Sequence, residues 1–345
     1  MIKTAVIGYG QSASIFHLPF INSLPEFELV AISTSKPEAV AKDWPYVTVY
    51  TDVDQMLEES GARLVVITAP NEVHYELGRK ALNLGLHVVM EKPMVTQVHQ
   101  GVELMKLAAS KNLCLIPFHN RRWDSDFLTL RKLLAEDKLG TIHAFESHFD
   151  RFRPTPRQRW RELPGEGVGT WFDLGAHLVD QVLVLFGKPL AVTGRCLAMR
   201  PGSQVTDYFH VQLHYSDKEI LLHSSSYHPG PTLRFKLQGE RGCYIKKGFD
   251  PQEERLHDGI VPDSPYLAKE AESDYGIFYS DAEPEVIESS IGGYRYFYEA
   301  TAKAIRGEGP IPVTIQDALD GLNIINLAEK STAEGCTLSV GSTTF

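Results

Sequence analysis

Three side chains in this 345-residue chain are of a type and placement to move a proton and hold a developing negative charge: Lys92, Asp173 and His177. Lys92 follows the apolar run Val88-Val89-Met90-Glu91 and precedes Pro93, so it stands at the carboxyl end of an expected parallel strand. Ligands of open α/β sheets bind outside those ends. Pro93 restricts the backbone before it and so helps aim the lysine. An ammonium there can hydrogen-bond a hydroxyl or the carbonyl it becomes, and can stabilise negative charge on that oxygen. The plainer reading is a lysine reaching out to water. Asp173 and His177 are four residues apart in a helix-patterned segment, which puts both on one face. Such a histidine can accept a hydroxyl proton near neutral pH, while the carboxylate orients a hydroxylated substrate or holds the imidazole. The plainer readings are a packed histidine and an aspartate capping the helix. No third ligand of suitable spacing accompanies the pair, so no metal is expected there.

A second constellation opens the chain. Gly8-Tyr9-Gly10-Gln11-Ser12-Ala13 follows an apolar strand and precedes a helical segment, and fits the pattern G-x-G-x-x-A. Gly8 permits the tight turn, Gly10 lets the backbone approach a pyrophosphate, and Ala13 lets helix and strand pack closely. Gln11 and Ser12 begin the helix whose free N–H groups face the phosphates. In this context the loop reads as a dinucleotide site. The second strand of such a site often ends in an acid that binds ribose hydroxyls. Here the segment is Leu29-Val30-Ala31-Ile32-Ser33-Thr34-Ser35-Lys36, with no carboxylate. Ser33, Thr34, Ser35 and Lys36 offer hydroxyls and positive charge, which suit a 2′-phosphate. NADP is therefore expected, and NAD remains possible if Lys36 merely sits on a solvated loop.

The elements that must position these residues change character near residue 120. Strands are expected at Thr4–Ile7, Glu28–Ser33, Val47–Tyr50, Leu64–Ala69, His87–Glu91 and Leu113–Phe118, all short and apolar on both faces. Helical patterns separate them at Asp52–Ser60, His74–Leu84 and Thr96–Ser110, and this alternation implies a doubly wound parallel Rossmann sheet. A helix Asp124–Ala135, a strand Thr141–Arg151, an arginine-rich loop Arg151–Arg161, a glycine-rich loop Gly165–Gly169 and a helix Phe172–Phe186 follow. Consecutive strands come next, at Ala191–Met199, Asp207–Tyr215, Glu219–Ser226, Thr232–Gly239 and Cys243–Lys246, as in an open-faced, mainly antiparallel α+β domain. Residues 249–290 read as long loops, and helices Gly293–Arg306 and Ile315–Ala333 close the chain. The expected organisation is a dinucleotide-binding domain over 1–120 and a substrate and oligomerisation domain over 121–345, with the final helix packing back on the first.

Composition narrows the class. Hydrophobic residues are 43% and charged residues 23%, which excludes disorder, collagen and coiled coil. A net charge of −10 argues against a nucleic-acid partner. No run of about 18 apolar residues suggests a membrane span, and the start MIKTAVIGYG lacks the long apolar stretch of a signal peptide, so a cytoplasmic location is expected. Cys114, Cys196, Cys243 and Cys336 form no C-x-x-C pair, so neither a zinc knuckle nor a redox dithiol is indicated.

In order along the chain, the glycine loop, Glu91-Lys92-Pro93, Asp173-x-x-x-His177 and Pro312-Val313-Thr314 with Asp317-Ala318-Leu319 resemble the Gfo/Idh/MocA oxidoreductases over essentially the whole length. The segments His119–Thr129, Ser147–Pro154, Arg159–Glu162 and Asp207–His210 look most like the NADP-dependent scyllo-inositol dehydrogenase branch and its uncharacterised bacterial relatives. The resemblance implies a catalytic group of Lys92, Asp173 and His177. It implies that Pro70, Asn71, His74, Glu91 and Asn120 lie along the cofactor, with Trp160 near the nicotinamide. It further implies hydride transfer between nicotinamide and a secondary alcohol of a cyclic polyol or sugar, and a homodimer or dimer of dimers. Other family activities, on an aldose, a sugar acid or a dihydrodiol, are the alternative; a non-catalytic cofactor-binding regulator is a third. The five arginines of the Arg151–Arg161 loop either form surface ion pairs or bind an anionic substrate or the cofactor phosphate.

Overall fold

A computed structural model describes residues 1–157 and 160–341. It divides into two compact units, one of Met1–Trp123, Pro251–Leu267 and Gly293–Leu319, the other of Asp124–Asp250, Ala268–Gly292 and Asp320–Phe345.

The first unit carries β1 (Ile2–Ile7), β2 (Phe27–Ser33), β3 (Thr48–Tyr50), β4 (Leu64–Ile67), β5 (His87–Met90) and β6 (Leu115–Pro117). They form one parallel sheet in the order β3-β2-β1-β4-β5-β6. The order reverses direction at β1, so the crevice beside the β1 carboxyl end is where such a sheet binds a nucleotide. Val65, Val66, Val88 and Val89 are wholly buried, as a strand covered on both faces requires. The helix Arg295–Arg306 belongs to this core: Phe297 lies edge-on to Phe118 at 4.8 Å, and Tyr298 edge-on to Phe27 at 5.5 Å.

The second unit carries β7 (Ile142–His148), β8 (Ala191–Leu197), β9 (Tyr208–His214), β10 (Glu219–Ser224), β11 (Leu233–Gly239), β12 (Gly242–Lys247), β13 (Gly276–Tyr279), β14 (Glu285–Ile287) and β15 (Leu338–Ser339). Their order is β14-β13-β12-β11-β7-β10-β9-β8-β15, antiparallel throughout except for the central β7–β10 pair. Burial alternates along β7, β9 and β10, so one face is packed and the other is more open. Arg234 is buried in this unit, held by Asp126 at 2.9 Å, Gln181 at 2.8 Å and Ser147 at 3.1 Å. The last helix, Ile315–Glu334, begins in the first unit and continues in the second, where the indole N–H of Trp171 donates to the Ile325 carbonyl at 3.0 Å.

Three local expectations change. Residues 249–290 are not all loop: they hold a helix, Gln252–His257, as well as β13 and β14. Their order comes from partners remote in sequence, Leu256 in the first core and Phe278 paired across from Tyr244, which no local pattern announces. A helix at Pro37–Asp43, too short to show a period, joins β2 to β3. The helix expected from Phe172 begins as a π-turn, Trp171–Gly175, and becomes α-helical only at Ala176–Phe186. Gly175 lies against the Trp171 ring, 2.1 Å from where a Cβ would stand, so a larger residue is excluded there.

Candidate active site

The glycine turn is built for close approach. Gly8 has φ +96°, and a Cβ on it would stand 2.7 Å from Thr68 Oγ1, so both conformation and space demand glycine. Its N–H donates to the Ser33 carbonyl at 2.8 Å, tying the ends of β1 and β2 together. Around Gly10 the Cβ position is open, with no atom within 4 Å. Helical structure begins at Gln11, which is exposed, and Ala13 is fully buried against the sheet. An open cradle at a helix N-terminus beside the sheet's switch point fits a dinucleotide pyrophosphate.

At the end of β2, Ser33 and Thr34 are buried, and the Thr34 hydroxyl accepts the Lys36 N–H at 3.0 Å. Ser35 and Lys36 are exposed. The hydroxyl-and-ammonium group expected for a 2′-phosphate is therefore presented by Ser35 and Lys36, on a turn that Thr34 shapes.

After β4, Pro70 is exposed and Asn71 is buried at the start of a short 3₁₀ turn, Asn71–Val73. His74 is wholly buried, and its ring nitrogens lie 2.9 Å from the Pro93 carbonyl and 2.8 Å from the Ala69 carbonyl. Burial pushes its pKa down, against the pull of those carbonyls. His74 thus braces the two loops that follow β4 and β5, and its ring nitrogens are taken up by that task. Asn120 is buried at the head of the 3₁₀ segment Asn120–Trp123.

Glu91 and Lys92 continue from the end of β5, each only 9% exposed. One carboxylate oxygen of Glu91 accepts from the Ser12 hydroxyl and faces His17 Nε2 at 3.1 Å; the other accepts the Lys92 N–H at 3.0 Å. The Tyr298 hydroxyl lies 2.6 Å from His17 Nδ1. Burial drives the Glu91 pKa up, but the His17 hydrogen bond and charge, the Ser12 hydroxyl and the Lys92 charge outweigh it and hold the carboxyl at about 2. Glu91 is therefore an ionised, buried hub that joins the glycine loop to the backbone of Lys92. His17 and Tyr298 were not found by sequence reasoning. Nothing local marks them, since they lie 281 residues apart and meet only through packing of the Arg295–Arg306 helix.

In the second unit, Asp173 lies within the π-turn and is part-exposed, while His177 is 6% exposed in the first turn of the following α-helix. Asp173 lines a cleft with roughly 490 Å³ of open space, together with Arg151, Arg153, Arg161, Arg200 and Glu162. The Asp173 carboxylate stands 3.9 Å from the Arg161 guanidinium. Trp160 is 44% exposed, with the Arg161 guanidinium 4.9 Å from its ring centroid. Arg159 of the arginine loop lies outside the described residues. Arg200 went unremarked in the sequence. It is buried and binds Asp207 at 3.0 Å, Glu162 at 3.1 Å and the Arg153 carbonyl at 3.3 Å, so it shapes the loop from which the other arginines project.

A parallel sheet in this order with a glycine turn at its switch point defines a dinucleotide-binding protein. The description "Oxidoreductase family, NAD-binding Rossmann fold" matches residues 2–119, and "Oxidoreductase family, C-terminal alpha/beta domain" matches residues 131–340. The chain belongs to the Gfo/Idh/MocA oxidoreductase family, with that family's NAD-binding Rossmann domain and C-terminal domain. It is 41% identical to the uncharacterised oxidoreductase YdgJ of Escherichia coli, over 98% of each chain. It is 37% identical to the scyllo-inositol 2-dehydrogenase (NADP(+)) IolW of Bacillus subtilis, over 98% of this chain and 95% of the other. The solved yvaA protein of Bacillus subtilis superposes with a TM-score of 0.95 at 36% identity, covering 99% of this chain and 98% of that one. Among the described residues, no helix is long and apolar enough to cross a membrane.

Proposed function

We propose that the enzyme oxidises a secondary ring alcohol of a cyclic polyol or sugar with NADP, scyllo-inositol being the first substrate to test. The observation that carries the nucleotide choice is the end of β2, where Ser35 and Lys36 are exposed and no carboxylate stands to repel a 2′-phosphate. The name of the IolW relative, at 37% identity over nearly the whole chain, supports the substrate class. When bound, the nicotinamide supplies the hydride acceptor. The chain supplies the rest. The glycine turn, Gln11 and Ser12 hold the pyrophosphate, and Pro70, Asn71 and Asn120 border the cofactor. His177 takes the hydroxyl proton, Lys92 stabilises the oxygen, Asp173 holds a neighbouring hydroxyl, and Trp160 bounds the ring.

The test is turnover on a panel of inositols, aldoses and aldonates or uronates with NADP and with NAD. Steady reduction of NADP with scyllo-inositol and not with glucose bears out the reading. Nucleotide binding without turnover on any substrate would mark a regulator instead.

The cleft around Asp173 favours a second reading, a sugar acid. Four arginines line it against the carboxylates of Glu162 and Asp173, so it carries excess positive charge suited to a carboxylate. If that reading is right, Arg161→Gln raises KM about tenfold for a uronate or aldonate and leaves neutral polyols unchanged. Equal effects on both classes would remove it.

A further inference from the structure

We propose that His148, Asp150 and His223 form a binding site for a divalent transition-metal ion on the sheet of the second unit. β7 and β10 are the parallel pair at the centre of that sheet, and their register sets His223 directly beside His148. Asp150 follows two residues after His148, on the same side. One ligand-competent atom from each residue lies within 4.8 Å of the other two.

The spacing is that of ligands around a shared ion. His148 Nδ1 stands 3.6 Å from Asp150 Oδ2, and His223 Nε2 stands 3.5 Å from Asp150 Oδ1. Both distances lie beyond good N–H···O bonds, which are about 2.7–3.2 Å. Zinc bonds of about 2.0–2.1 Å hold tetrahedral ligand atoms about 3.4 Å apart.

The surrounding groups are arranged to match. His148 Nε2 lies 3.2 Å from Glu146 Oε2, and the other Glu146 oxygen accepts from Lys236 Nζ at 3.0 Å. A Glu146-bound Nε2–H leaves the Nδ1 lone pair of His148 aimed at Asp150, two acceptors facing each other with no proton between them. A cation between them removes that conflict and completes the carboxylate–histidine–metal arrangement common to protein metal sites. Asp150 is held in turn by the Ser225 N–H at 2.8 Å and the Thr232 hydroxyl at 3.3 Å. The Asp150 side chain is buried, whereas those of His148 and His223 keep 14% and 18% exposure, an opening through which an ion and a water can enter. His210 offers a further imidazole, its ring 5.7 Å from that of His223. Two imidazoles and one carboxylate select zinc, cobalt, nickel or iron over magnesium or calcium.

The test titrates full-length protein, stripped with EDTA, with Zn²⁺ by calorimetry and with Co²⁺ by visible absorption. The expected result is one saturable equivalent per chain and a Co²⁺ ligand-field spectrum. His223→Gln and Asp150→Asn should each weaken binding at least tenfold, with far-UV circular dichroism and nucleotide binding retained. The exposed-surface control His99→Ala should bind as the parent does. Absence of saturable Zn²⁺ binding, or affinity unchanged in either variant, overturns the proposal; so does a doubly protonated His148 whose NMR titration ignores added Zn²⁺. Should a variant fail to fold, the parent's Co²⁺ spectrum still decides whether nitrogen and carboxylate ligands hold the ion.

Discussion

His17 Nε2 faces the Glu91 carboxylate at 3.1 Å, with both groups buried and the Tyr298 hydroxyl 2.6 Å from the far ring nitrogen. Both ring nitrogens of His17 are thereby engaged, Nε2 by the Glu91 carboxylate and Nδ1 by the Tyr298 hydroxyl. Burial and the nearby Glu91 charge hold the Tyr298 pKa well above its ordinary value, so the phenol stays protonated. The chain of bonds ends on the Ser12 hydroxyl and the Lys92 N–H. One buried carboxylate thus links the glycine loop to the backbone of the lysine.

This arrangement predicts an acid-sensitive contribution to stability. The folded Glu91 pKa, about 2, lies below the ordinary 4.5. Its contribution is therefore complete above about pH 4.5 and is lost as pH falls toward 2. Glu91→Gln should cost about 1–3 kcal/mol at pH 7, and the gap in Tm between parent and variant should close below pH 4.5. A gap constant from pH 7 to 3 would show that the carboxylate charge is not what matters.

Lys92→Ala and His177→Ala should each lower kcat by about 10²–10⁴. Nucleotide affinity, read by quenching of protein fluorescence, should change little, because the proposed function assigns the pyrophosphate to the glycine turn and the helix behind it. Wild-type turnover in either variant would strike that residue from the chemistry.

Lys36→Ala should lower kcat/KM with NADP roughly tenfold relative to NAD, as expected for one exposed, charge-assisted contact to phosphate. Ser35→Asp should go further and favour NAD, since it places a carboxylate where a ribose hydroxyl donates and a phosphate is repelled. If the NADP to NAD ratio does not move in either variant, the end of β2 does not read the 2′ position.

Much of this was legible in the amino-acid order because it is local. The alternation of buried strands with helices sets the doubly wound sheet, and Gly8, Gly10 and Ala13 mark a tight, open turn by their place after the first strand. The absence of an acid from Ser33–Lys36 is equally plain, as is the step from Met90 to Lys92 at a strand's carboxyl end. What the chain could not reveal by itself depends on groups brought together from afar. The His17–Tyr298 bond spans 281 residues, and the approach of His223 to His148 follows from a parallel register with no local signature. The π-turn at Trp171–Gly175 is likewise a tertiary choice. An i to i+4 count gives Asp173 and His177 the same face of a regular helix, but the extra residue in the turn offsets them, and packing at Trp171 and Gly175 decides where Asp173 stands. Periodicity records which face of an element is buried. It carries no information about which remote side chain, desolvated beside it, will set its charge or aim its reactive atom, and here only the folded packing settles that.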